Sequence, residues 1–301
     1  MTREKESRLP MKYADQSMFE AESMDAEGPV VSLLWMTPDP LGAVAAACMM
    51  YEGKVVRNLE DVTDEQRVYY ADQVGATHLK APLEFVKLHF LIEGVDRAFT
   101  HQIVRQRTAV FAQESLRFAV KDNFASEAAV PPSIARLEKK HPTRQKWDQH
   151  MKSVEELYNY LVANGVPAED ARGMLPHNTT TRLHYATDLR NLSDHAGNRL
   201  CTQAQFVWRE VFNQIKNSIR DHSEGGRLLV ESTNLFKPVC YQLGHCPFTA
   251  DFDRGCTIRD RVSANAKAGV PSDEWDVERG IGYVMPIQNA EWMLDEKAAW
   301  Q

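Results

Sequence analysis

Apolar positions along this chain recur with two different periods, and the changes between them mark its elements. The first 28 residues hold no sustained apolar period and are rich in Glu, Lys, Asp and Met, which predicts a polar arm. The run PVVSLLWM at 29–36 is short and nearly all apolar, as expected of a strand that opens the body. PLGAVAAACMMY follows TPDP and predicts a helix of small residues with Thr37 or Asp39 at its start. LEDVTDEQRVYYADQV predicts an amphipathic helix with an acidic first turn. From Phe85 to Ile92 the period drops to two. Val86, Leu88, Phe90 and Ile92 point one way, Lys87 and His89 the other, so this is a half-buried strand.

Helical spacing then returns. VDRAFTHQIVRQR predicts a helix with Arg97, His101 and Arg105 on one side and Gln102 adjacent. TRQKWDQHMKSVEELYNYLVANG places Trp147, Met151, Val154, Leu157, Tyr158 and Leu161 on one face and stops at Gly165. Pro167 opens a short helix, PAEDARGMLP, that Pro176 closes. LSDHAGNRLCTQAQFVWREVFNQIKNSI reads as one long helix with Ala204, Trp208, Val211, Phe212, Ile215 and Ile219 as its stripe. Past residue 236 the period fades. The class is α+β, helix-rich with few strands, organised as an arm (1–28), a body (29–236) and a tail (237–301) whose Trp275, Tyr283 and Trp292 predict packing on the body.

Composition narrows the possibilities. With 43% hydrophobic and 26% charged residues in 301, the chain is an ordinary globular protein. Its apolar runs, such as LEFVKLHFLI, fall short of the ~20 residues of a membrane helix. The charged start MTREKESRLP is no secretion signal, so a cytoplasmic protein without membrane partners is expected. Five cysteines, an odd number, predict reduced thiols. A net charge of −7 argues against nucleic-acid binding, which needs a broad basic surface. Any anion must therefore be captured locally.

The stretch RQRTAVFAQESLRF (105–118) offers that local capture. Arg105, Arg107 and Arg117 with Ser115 suit a phosphate or carboxylate, because guanidinium presents fixed coplanar donors and the hydroxyl adds one more; the alternative is a solvated polar face. Ser115 lacks the G-x-S-x-G surroundings of a nucleophile. A second dense segment, 175–200, carries Arg182, Arg190 and Arg199 among histidines, asparagines and threonines. Its donors imply a ligand rich in acceptors or hydrogen bonds between subunits. Cys240, His245, Cys246 and Cys256 lack paired C-x-x-C spacing and predict buried thiols in preference to zinc, so no metal is assigned. Met49, Met50 and Met174 are expected in the core.

Residues 105–115 resemble the signature of the flavin-dependent thymidylate synthases (ThyX), Arg-His-Arg followed by seven residues and a serine, here Arg105, Gln106, Arg107 and Ser115. HLKAPLE with His78, THQIVRQR with Gln102, GVPAEDARGMLP, TDLRNL and NRLCTQAQ resemble further family segments in the same order, over roughly residues 30–220. The resemblance implies a helix-rich α+β fold with a small antiparallel sheet and a homotetramer with active sites between subunits. It implies FAD as cofactor, dUMP as substrate, and methylenetetrahydrofolate and NADPH as co-substrates. Gln102, Arg105, Gln113, Glu114, Ser115, Leu116, Arg117 and Arg172 would then surround dUMP, with Arg199 favouring ionisation at uracil N3. Arg105, Gln106, Arg107, Gln113, Asp188, Leu189, Arg190 and Asp194 would meet the flavin, and His78 the flavin or folate, against a purely structural role for that histidine.

The departures from the family pattern gather on the flavin side. Gln106 stands for histidine, Asp188 and Asp194 for asparagine, Gln203 for histidine and Met50 for serine. Glutamine still donates a hydrogen bond but cannot become a cation. Two aspartates would repel a diphosphate unless they point elsewhere. Transfer of a hydroxymethyl or other one-carbon group, or a non-catalytic nucleotide-binding role, are the alternatives these changes leave open.

Overall fold

The structure, a computed structural model, describes residues 28–201, 204–232, 235–247 and 267–269. The polar arm up to residue 27, Gln203, Cys256 and the tail aromatics Trp275, Tyr283 and Trp292 lie outside the described residues. In chain order the elements are β1 (Val30–Met36), α1 (Pro40–Tyr51), α2 (Asp64–Ala76), β2 (Lys87–Asp96), α3 (Arg97–Ile103), β3 (Val110–Gln113), α4 (Phe124–Glu127) and α5 (Pro132–Ala135). They continue with α6 (Pro142–Ala163), α7 (Ala168–Ala171), β4 (Thr180–Asp188), α8 (Leu189–Arg199), α9 (Phe206–His222), α10 (Glu224–Ser232) and α11 (Val239–Leu243). The strands form one antiparallel sheet in the order β1-β2-β4-β3.

The alternation seen in the sequence fixes which face of the sheet is buried. Leu88, Phe90 and Ile92 of β2 pair with Thr187, Tyr185 and Leu183 of β4, and all point inward. Helix α9 lies against β1 and β2 and fills this face with Trp208, Val211, Phe212, Ile215 and Ile219. Burying each of these side chains stabilises the fold by roughly 1.5–3 kcal/mol. Register slips between Ile92 and Val95, where Gly94 takes φ +66°, a conformation with little cost only for glycine. The slip re-aims the end of β2 into α3, whose first turn Asp96 caps by accepting from the Phe99 amide at 2.6 Å.

Several expectations need correction. The helix expected through Arg107 stops at Ile103, and residues 104–109 turn into β3, so Arg105 does not share a helix face with Arg97 and His101. The long helix expected from 192 to 219 is two helices, α8 and α9. The chain breaks between them, where Gln205 leaves helical geometry and accepts a hydrogen bond from Gln102 at 2.9 Å. Strands β3 and β4 were not anticipated. On α6 Met151, Val154 and Tyr158 are buried but Leu157 is exposed, because this helix covers only a satellite core with Phe124. Met49 is buried as expected, whereas Met50 and Met174 are exposed. Cys240 and Tyr241 of α11 join the main core, so the packed body continues past residue 236.

Asp188 shows how β4 hands over to α8. Its Oδ1 accepts from the Asn191 amide and from Asn191 Nδ2, both at 2.9 Å, and Lys87 Nζ lies 3.3 Å from Oδ2. The carboxylate is a buried helix cap. Asp188→Ala should therefore cost about 1–2 kcal/mol in urea unfolding, whereas Asp188→Asn, an equally good cap, should cost about 0.5 kcal/mol. Equal losses in the two variants would mean that the cap does not matter.

Candidate functional site

A cleft of about 320 Å³ opens where α3 ends beside α8. Gln102, Arg105, Gln106 and Thr108 line one side, and Asn191, Asp194, His195, Asn198 and Arg199 the other. Residues about 90 positions apart meet here because β2 and β4 are neighbours in the sheet and each leads directly into its helix.

Gln106 ties the turn after α3 in place. Its Oε1 accepts from the Tyr185 hydroxyl at 2.7 Å and its Nε2 donates to the Asn191 carbonyl at 3.5 Å. Glutamine thus holds the turn to the sheet and to α8 without needing a charge. Arg105 and Arg107 flank it, both exposed and without acidic partners among the described residues. The guanidinium carbon of Arg199 sits over the indole of Trp208, 4.2 Å from the ring centroid, while its Nε donates to His195 Nε2 at 3.2 Å. Trp208 Nε1 donates in turn to Gln102 Oε1 at 2.9 Å. The floor of the cleft is therefore one connected network.

His195 is neutral there. Burial, with the Arg199 charge beside it, pulls its imidazole down to about 4 from 6.5. The unfolded chain takes up this proton near 6.5 and the folded chain only near 4. Stability is therefore intact above pH 6.5 and falls as pH drops from 6.5 towards 4, by at most about 1.4 kcal/mol per unit. His195→Phe should flatten this acid slope in urea titrations between those limits. An unchanged slope would put the titration elsewhere.

A second cluster forms at the far end of β2 and β3. Arg117 Nε reaches Glu169 Oε2 at 3.2 Å and Arg172 Nε donates to the Glu169 carbonyl at 3.0 Å, so both arginines gather at the start of α7. Glu114 pairs with the buried Lys121 at 3.2 Å and lies 3.8 Å from Arg182. Burial and the nearby Arg172 charge lower the Arg97 pKa, against the pull of Glu114. Arg97, Arg117, Lys121, Arg172 and Arg182 outnumber Glu93, Glu114 and Glu169, so the cluster is suited to a phosphate. Ser115 Oγ accepts from the Arg117 amide at 3.3 Å, and Leu116 is buried beside it.

The residues expected at the nucleotide therefore divide. Gln102, Arg105 and Arg199 share the cleft, while Glu114, Ser115, Leu116, Arg117 and Arg172 form the second cluster. Gln113 donates to Thr100 Oγ1 at 3.0 Å. Among those expected at the flavin, Arg105, Gln106 and Asp194 line the cleft. Asp188 is occupied as a cap, and Arg190 pairs with Glu84. His78 is exposed before β2. Leu189 lies in the core with its amide bonded to the Val86 carbonyl, which leaves a ligand neither its side chain nor its N–H. The sequence did not single out His195, Trp208, Asn191 or Lys121 as site residues. Only the density of polar side chains over 175–200 hinted at the first and third.

Among the described residues no group of three potential metal ligands assembles. No helix among them is long and apolar enough to cross a membrane.

Residues 32–223 match the family model described as thymidylate synthase complementing protein. The flavin-dependent thymidylate synthase of Pyrococcus abyssi is 30% identical over 236 residues, which are 77% of this chain and 94% of that protein. The enzyme of the same name from Geobacter sulfurreducens is 34% identical over 183 residues, 60% of this chain and 78% of that one. The fold is shared with a UMP/dUMP methylase, PolB, from Streptomyces cacaoi, solved with 5-Br dUMP: TM-score 0.56, 20% identity, 69% of this chain and 95% of that one. It is shared also with ThyX from Helicobacter pylori, solved with FAD and dUMP: TM-score 0.51, 16% identity, 67% and 98%.

Proposed function

This chain belongs to the thymidylate synthase complementing protein family, the flavin-dependent thymidylate synthases, and on that premise we propose that it methylates dUMP at C5 to give dTMP, with methylenetetrahydrofolate as carbon donor and NADPH as reductant. The observation that carries this reading is the cleft that Arg199, held over the Trp208 ring, lines together with Gln102 and Arg105.

Each part of the site has a role in this reading. Arg117, Arg172 and Ser115 take the nucleotide phosphate, and Gln102, Arg105, Gln113, Glu114 and Leu116 enclose the sugar and base. Arg199 lies at uracil N3. A fixed cation there stabilises the ring anion, which raises electron density at C5 and makes a covalent cysteine unnecessary. Because Gln102, Arg105 and Arg199 lie in the cleft while Glu114, Ser115, Leu116, Arg117 and Arg172 lie in the second cluster of the same chain, the complete site is assembled between subunits of a homotetramer. The outer sheet face supports such assembly: Trp35 and Val110, 49% and 72% exposed, lie there beside Leu91 and His184.

The donor set suits FAD. Arg105 and Arg107 offer guanidinium groups without acidic partners among the described residues, and of the two aspartates that could repel a diphosphate Asp188 is turned into its own helix cap, while Asp194 stays in the cleft with the Arg190 and Lys80 charges beside it. Arg105, Gln106, Arg107, Gln113, Arg190 and Asp194 would hold the flavin, with His78 at its edge. Bound flavin supplies the reducing equivalents that turn the transferred one-carbon group into a methyl. The test is direct. Purified protein should show, or acquire on adding FAD, the visible flavin absorbance bands, and dUMP should shift them. Protein that takes up dUMP but no flavin would instead be a nucleotide-binding relative.

A further inference from the structure

Arginine at a developing anion must satisfy two opposing demands. It must be held still, since a wandering guanidinium stabilises little, yet nothing that holds it should cancel its charge. A carboxylate partner meets the first demand and fails the second.

The surroundings of Arg199 meet both. Its guanidinium carbon sits over the Trp208 ring, 4.2 Å from the centroid, which holds the group against the indole, and its Nε donates to His195 Nε2 at 3.2 Å, which limits its rotation there. No ion pair to Arg199 occurs among the described residues. His195 is itself wedged edge-on between Trp208 and Phe212, with ring centroids 5.3 and 5.5 Å away. Because Arg199 can only donate, His195 Nε2 must accept and the ring proton sits on Nδ1. That Nδ1 is enclosed and without a hydrogen-bond partner among the described residues. A buried donor left unpaired is destabilising, and its retention marks a ring kept for what its other nitrogen does.

We infer that His195 is a positioning residue for Arg199: a neutral acceptor that locks the guanidinium against Trp208 while leaving its full charge, and its terminal N–H groups, for the nucleotide ring. This rests on the placement of the uracil at Arg199 proposed above. The role of His195 differs from that of a general base, since the proton it carries is on the side away from Arg199. Phe212 and Trp208 also exclude water from the ring, which keeps the imidazole uncharged throughout the neutral range.

The test uses the flavin-loaded protein and 5-fluoro-dUMP, whose ring ionisation at N3 is read from its ultraviolet spectrum. In the wild type the bound ring should ionise at a lower pH than the free nucleotide. His195→Phe keeps the ring contacts and removes the acceptor; it should lose about one pH unit of that lowering and reduce turnover with dUMP roughly ten-fold, mainly in kcat. His195→Gln restores an acceptor near the same place and should recover most of both. His195→Met serves in place of His195→Phe if that variant does not fold. The inference is overturned if His195→Phe ionises the ring as the wild type does, or if His195→Gln is as impaired as His195→Phe. Arg199→Ala separates the two levels. If it leaves the ionisation of the bound ring unchanged, the uracil does not lie at Arg199 and the parent reading fails. If Arg199→Ala abolishes the lowering and His195→Phe does not, only the role of His195 falls.

Discussion

In the proposed reaction, Arg199→Ala should cut the rate of dTMP formation by roughly 100- to 1,000-fold, the usual loss when one fixed group facing a developing charge is removed. The loss should fall on kcat more than on the KM for dUMP, because Arg117 and Arg172, proposed above to take the phosphate, are untouched. Arg199→Lys should recover only part of it. Lysine restores the charge but not the planar fork that lies on Trp208, nor the Nε–H that His195 accepts. Steady-state kinetics on the three proteins checks this, and an Arg199→Ala variant within a few-fold of wild type would remove Arg199 from the reacting ring.

The second large effect is on stability. Trp208 is fully buried, packs against Phe99 with centroids 4.4 Å apart, and supports Phe212, His195 and Arg199 at once. Trp208→Ala should destabilise the protein by about 3–5 kcal/mol, a large part of the ~5–15 kcal/mol that holds most folds together. Trp208→Phe keeps most of the ring volume and gives up the hydrogen bond to Gln102, so about 1–2 kcal/mol is expected. Urea unfolding distinguishes these values. If alanine and phenylalanine cost the same, packing is not what Trp208 contributes.

The parts of the fold that the sequence displays are those where one periodicity runs long enough to be heard. Strand β2 was clear because every second residue from Val86 to Ile92 is apolar, and α9 because Trp208, Val211, Phe212, Ile215 and Ile219 keep helical spacing. Strand β4 was not. Its inward residues are Thr181, Leu183, Tyr185 and Thr187, and the threonines at each end blur the alternation that leucines would have made plain. Strand β3 has four residues, too few for a period. The break between α8 and α9 is set by Gln205 bonding to Gln102, a contact between residues 103 positions apart that local spacing cannot reveal.

The site followed the same rule. Arg105, Arg107 and Ser115 stand out in the sequence because their types and spacing match a known signature, and Arg199 because its segment NRLCTQAQ resembles the same family. His195 and Trp208 do not, since a histidine on a helix and a tryptophan in an apolar stripe look like ordinary packing until the fold sets Arg199 between them. Asp188 is the converse. By residue type it threatened an anionic ligand, and only the geometry of the β4–α8 junction shows that its carboxylate is spent on Asn191.

In the proposed reaction, arginines from separate elements seat a pyrimidine nucleotide so that its C5 accepts a reduced one-carbon unit. Incubating the protein with dUMP, methylenetetrahydrofolate, FAD and NADPH, and identifying the nucleotide by mass, tests it most directly. The expected product is dTMP, heavier than the substrate by one CH₂. Hydroxymethylated nucleotide, or dUMP recovered unchanged from protein that has bound both flavin and nucleotide, would contradict it.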